Sequence, residues 1–95
     1  MRRMVISKRR IRTCGGVKLT LIYSVIIDEL SSSSLAAGLE SYGAGISIVE
    51  LGEEICIRHI TLRMHEIITF TKLLSSNCVT PSTLSDVVYD WICRH

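Results

Sequence analysis

"VKLTLIYSVIID", residues 17–28, sets Leu19, Leu21, Tyr23, Val25 and Ile27 at alternate positions, the period of a β-strand with one face in a core. The intervening Lys18, Thr20, Ile22, Ser24 and Ile26 turn from polar to apolar, so the strand should be covered on both sides near its end. "YGAGISIVE", residues 42–50, repeats the pattern with Tyr42, Ala44, Ile46 and Ile48 on one side. Gly43 and Gly45 on its other side predict a bend, a bulge or a close backbone approach. "LGEE", residues 51–54, supplies a turn with Gly52, and "EICIRHIT", residues 54–61, alternates Ile55, Ile57 and His59 against Cys56, Arg58 and Ile60. A three-stranded antiparallel meander is the simplest assembly, with the Ser- and Gly-rich "ELSSSSLAAGLES", residues 29–41, as a loop within it.

The period then changes. From Thr61, read as a helix N-cap, Ile67, Phe70 and Leu74 gather on one side with Met64 and Ile68 beside them, and His65, Glu66, Thr69 and Lys72 opposite. This helix should end in "SSNCV", residues 75–79, with Asn77 in the left-handed conformation of a C-cap. A second helix announces itself in "TPSTLSDVVYDWI", residues 80–92: Thr80 is its N-cap, and Pro81 sits where a missing N–H costs nothing. Leu84, Val87, Val88, Trp91 and Ile92 share one arc, and Asp86, Tyr89, Asp90 and Cys93 share the other. Fully burying a large apolar side chain contributes about 1.5–3 kcal/mol. Both apolar stripes therefore belong on the sheet, giving an α+β domain ordered βββαα with the two helices on one face.

Ninety-five residues suffice for one core, and with 47% hydrophobic but only 5% aromatic residues that core must be aliphatic. The formal charge of +2 hides a segregation. Residues 1–13, "MRRMVISKRRIRT", carry +6, whereas the rest sets five basic against nine acidic residues, a balance of −4. Residues 1–16 are thus expected to be a basic flexible arm, hinged at Cys14-Gly15-Gly16, and residues 17–95 the single domain. Met4 offers a second initiator. The basic start, the apolar Val17–Ile27 and "SSSSLAAG" mimic a secretion signal, but Lys18 and Thr20 interrupt the run and cleavage would remove a needed strand. Eleven residues also fall far short of the roughly 20 that span a bilayer as a helix. A cytoplasmic protein with free thiols at Cys14, Cys56, Cys78 and Cys93 and no membrane association is expected, with Cys56 and Cys78 as small buried hydrophobes.

Tyr42-Gly43, Ile46, Val79-Thr80-Pro81, Leu84, Asp86-Val87-Val88 and Asp90 resemble a small family of uncharacterised proteins from clostridia and related Firmicutes, over roughly Leu21 to Ile92. The resemblance implies a short cytoplasmic bacterial protein, strands first and helices last, without an established activity or catalytic residues. It leaves the arm and the "SSSSLAAGLES" stretch as additions to the family pattern.

Asp86 and Asp90 form an i, i+4 pair that a solvated helix face explains first, with the helix dipole accounting for Asp86, and Tyr89 between them makes a protein contact the next reading. His59, His65, Cys93 and His95, with the other cysteines, have the chemistry of zinc ligands but not the spacing, so no metal or other cofactor is expected. The sequence holds no G-x-S-x-G, P-loop or dinucleotide fingerprint, and its G-x-G, Gly43 to Gly45, stands alone in a strand. The expected function is therefore a non-catalytic protein-interaction or regulatory module that meets an unknown protein partner through Asp86, Tyr89 and Asp90. The alternative is an accessory nucleic-acid binder acting through Arg9, Arg10 and Arg12 of the arm, which has charge for phosphates but no aromatic residue for base stacking. A homodimer through an edge strand is the third expectation.

Overall fold

The computed structural model describes residues 2–30 and 39–94. Its elements run β1 (Arg2–Arg12), β2 (Lys18–Leu30), β3 (Leu39–Ile48), β4 (Glu53–Thr61), α1 (Met64–Ser76), a 3-10 turn (Pro81–Thr83) and α2 (Leu84–Arg94). The four strands form one antiparallel sheet in the order β1-β2-β3-β4, so β1 and β4 are its edges. The α+β class and the terminal helix pair agree with expectation, but the strand count does not. The segment expected as an arm is the first strand.

The strand signal in β1 is weak for physical reasons. Its register slips between Val5 and Ser7, so Met4, Ile6 and Ile11 pack against the core without keeping a two-residue period. Its remaining positions are largely Lys and Arg, as suits an exposed edge that must not pair with a second sheet. The supposed hinge is a tight hairpin turn instead. Thr13 N–H donates to Val17 O and Gly16 N–H to Thr13 O, both at 2.9 Å, with Gly16 at φ 82°.

The core lies between one sheet face and the helices. Leu19, Leu21, Tyr23, Val25 and Ile27 of β2 meet Tyr42, Ala44, Ile46 and Ile48 of β3, covered by Ile67, Phe70 and Leu74 of α1 and by Leu84 and Val88 of α2. Phe70 stacks on Trp91 at a centroid separation of 4.8 Å, joining the helices. Ile92, expected inside, is 49% exposed. On the other sheet face Ser24, Ile26 and Asp28 are buried as well, so the end of β2 is buried on both sides as expected, although no helix lies on that face among the described residues. The loop expected over residues 29–41 narrows at both ends, since Glu29 pairs with Glu40 and Asp28 with Ser41. Residues 31–38 lie outside the described residues.

Four local expectations are corrected. The face proposed for Ile55, Ile57 and His59 is broken by a bulge: β3 advances from Tyr42 to Ala44 while β4 covers Ile57 to Thr61. His59 takes φ 58° and is exposed, and the half-buried positions are Cys56, Ile57, Ile60 and Thr61. Thr61 ends β4 rather than capping α1, whose N-cap is Arg63. At the other end of α1, Asn77 is the C-cap at φ −97°, and the left-handed residue is Cys78 at φ 50°. Val79 N–H donates to Leu74 O and Cys78 N–H to Ser75 O, each at 3.1 Å, the paired bonds of a Schellman ending. Cys78 is consequently exposed and Cys56 only half-buried, so neither is the core residue expected.

Candidate functional site

The outer face of α2 follows from how the helix starts. Pro81 is buried at the first position of the 3-10 turn, and Thr83 N–H reaches Thr80 O at 3.1 Å. Thr80 has the extended backbone of an N-cap, but its hydroxyl meets Ser82 Oγ at 3.1 Å and Thr83 Oγ1 at 3.3 Å rather than a backbone donor. With Leu84 and Val88 buried, Asp86, Tyr89 and Asp90 face solvent together, and Tyr89 is 73% exposed. Asp90 accepts from Arg94 Nε at 3.2 Å, one turn on. The three residues named from the sequence share one surface.

Arg9, Arg10 and Arg12 do not. Arg9 is opposite Leu21 and so lies on the helix side of the sheet, where its Nε donates to Ser75 O at 3.0 Å, beside a Ser75 Oγ to Ser7 Oγ bond of 2.7 Å. It closes the carboxyl end of α1, where a cation suits the helix dipole. Arg10, opposite Thr20, and Arg12, opposite Lys18, point to the open face, as does Lys8 opposite Ile22. Near the other end of β1, Arg2 pairs with Glu40 and Arg3 with Glu54. Among the described residues no carboxylate comes within ion-pair distance of Lys8, Arg10, Arg12 or Lys18. Glu50, close enough to Arg10 to feel its charge, is taken by Thr20 through the backbone N–H at 2.6 Å and the hydroxyl at 2.8 Å. Those bonds, with a lesser effect of Arg10, hold its carboxyl below the usual range.

The rest of the open face carries polar bonds that sequence reasoning missed. Arg58 grips Asp28 with both arms, Nε to Oδ2 at 2.9 Å and Nη2 to Oδ1 at 2.7 Å. The carboxyl of Asp28 is held below its usual range, first by those hydrogen bonds. Cys56 Sγ stands 3.2 Å from Glu54 Oε1 and 3.5 Å from Arg3 Nη2. Gly43 and Gly45 leave the space: a Cβ at Gly43 would lie 2.1 Å from Ile57 O, and one at Gly45 3.3 Å from Cys56 Sγ. Arg58 and Asp28 are 30 residues apart in sequence and Cys56 and Arg3 are 53 apart, so no local pattern announces these two contacts.

Other concavities are shallow. One is lined by Ile60, Thr61, Glu66, Trp91 and Ile92, and its neighbour by His65, Glu66, Thr69 and Trp91. Glu66 accepts there from Thr61 Oγ1 at 3.1 Å. Among the described residues no three of His, Cys, Asp and Glu are grouped to hold a metal ion, and His95 lies outside those residues. No helix among them is long and apolar enough to cross a membrane.

Neither a curated protein nor a solved structure matches this chain. A family model does match, from residue 2 to residue 94, and that span takes in the basic strand and the Ser-rich stretch that the resemblance over Leu21 to Ile92 left as additions. The chain belongs to a family of unknown function (DUF6514).

Proposed function

We propose that this chain is a non-catalytic interaction domain of bacterial, Firmicute origin that works in the cytoplasm and engages another protein through the outer face of α2. The observation that carries this reading is Tyr89, 73% exposed between Asp86 and Asp90 and one turn from Ile92, itself 49% exposed. Tyrosine gives a large amphipathic contact and is enriched in the centres of interfaces, where its ring packs and its hydroxyl finds a partner. Asp86, beside an Asp90 that is shared with Arg94, favours a partner that presents Lys or Arg around an apolar spot and repels an acidic one. A role in regulation or differentiation fits such a binder.

The test is site-specific photocrosslinking in the source cell. A crosslinker at position 89 should trap one defined partner, and the same group at Leu73, 51% exposed on α1, should not. The triple substitution Asp86→Ala, Tyr89→Ala, Asp90→Ala should leave the fold within about 0.5 kcal/mol, as exposed positions do, yet lose the partner. Equal crosslinking from both positions, or undiminished capture by the triple variant, would remove this surface from consideration.

A further inference from the structure

The six cations of β1 are divided by the fold. Arg2 and Arg3 are neutralised by Glu40 and Glu54, and Arg9 is spent on the carboxyl end of α1. Lys8, Arg10 and Arg12 remain, at alternate positions on the open face, and the hairpin brings Lys18 opposite Arg12. From Lys8 to Arg12 is four residues, or about 14 Å of extended strand. The result is a line of charge whose hairpin end, Arg10, Arg12 and Lys18 with Ile11, borders an open concavity.

We infer that this line, Lys8, Arg10, Arg12 and Lys18, is a binding strip for the phosphate backbone of a nucleic acid, separate from the protein-binding face of α2. A nucleic-acid strand carries a charge every roughly 3.4 Å along its axis and can be followed by cations repeated along an edge, whereas a folded acidic protein must match four fixed positions. The strip presents no aromatic ring, so bases are neither stacked nor read and binding is independent of sequence. The nearby hollow lined by Ser7, Lys8, Arg9, Lys72, Ser75 and Ser76 is a poorer place for an anion. It opens at the negative end of α1, and its Arg9 is already engaged there.

The experiment is fluorescence anisotropy of the full chain with labelled single-stranded RNA and labelled duplex DNA across a salt series. Four neutralised phosphates give a slope of log K against log salt of about −3, or roughly a 50- to 150-fold loss of affinity between about 50 and 200 mM salt. Arg10→Gln with Arg12→Gln should reduce that slope in magnitude by about 1.4–1.8, and so should Lys8→Gln with Lys18→Gln, which repeats the test through other residues. Arg9→Gln should leave the slope unchanged. Circular dichroism of each variant confirms that the sheet is retained. An unchanged slope in both double variants overturns the inference, and so does a slope that Arg9→Gln lowers equally. Binding to polyglutamate or to phosphatidylserine vesicles as tight as to RNA and DNA also overturns it, by assigning the strip to another anion.

Discussion

The phenol of Tyr23, in the middle of β2, donates a 2.8 Å hydrogen bond to the carbonyl of Val79, 56 residues away in the segment that leads from α1 to Pro81. It ties the Schellman ending of α1 to the sheet. Tyr23 is fully buried, and burial, with a smaller push from the Cys78 thiol and an opposing pull from Arg9, sends its pKa up to about 12.

Tyr23→Phe removes the donor and leaves the Val79 carbonyl short of a partner, which should cost about 1–2 kcal/mol at neutral pH in a denaturant titration. The pH dependence has a definite sign. A hydroxyl whose pKa is higher folded than unfolded adds stability that is complete below the unfolded value near 10 and declines as pH rises from there toward about 12. The wild-type chain should therefore lose Tm across that interval, and Tyr23→Phe should lack this part of the loss. Parallel Tm profiles above neutral pH would show that Tyr23 does not control the alkaline limb.

Arg9 and Arg10 are neighbours with different work. Arg9→Ala removes a charge-assisted bond to Ser75 O at the end of α1 and should lower stability by about 1 kcal/mol or somewhat more. Arg10→Ala, on the open face, should stay within about 0.5 kcal/mol. Urea midpoints of the two variants decide the matter, and equal midpoints would contradict the division of the strand.

Asp28 and Arg58 should make the fold sensitive to acid. The carboxyl is depressed in the folded chain, first by its bonds to Arg58, so its contribution is present above the unfolded value near 3.9 and disappears as pH falls below it through the folded value. Asp28→Asn should lower Tm at pH 7, and the difference from wild type should close as the solution is acidified past that range. A constant gap at all pH values would assign the loss to packing rather than charge.

Gly43 and Gly45 should respond unequally to alanine. At Gly43 the added methyl meets backbone, Ile57 O at 2.1 Å and Arg58 Cα at 2.8 Å, and β4 must move at its bulge. At Gly45 the nearest atoms are side-chain atoms of Cys56 and Ile26 at 3.3 Å, which can yield. Gly43→Ala should cost at least the upper part of the about 1–3 kcal/mol typical of overpacking, and Gly45→Ala less. Chemical denaturation of both measures the order directly, and the reverse order would refute the close contact.

The sequence by itself determined the parts whose signal is local. Alternating apolar residues in β2 and β3 fixed which faces meet the helices, Thr80-Pro81 fixed where the last helical segment begins, and the spacing of Leu84 and Val88 left Asp86, Tyr89 and Asp90 outside. Only the tertiary structure decided what became of the basic start. An edge strand gains its order from the hydrogen bonds and apolar contacts its neighbour supplies, so β1 needs little hydrophobic period of its own, and its bulge erases what there is. The same holds for the bulge at His59 and for the pairing of Arg58 with Asp28 and Arg9 with Ser75. Each joins groups brought together by sheet register and helix docking, which short-range periodicity does not encode.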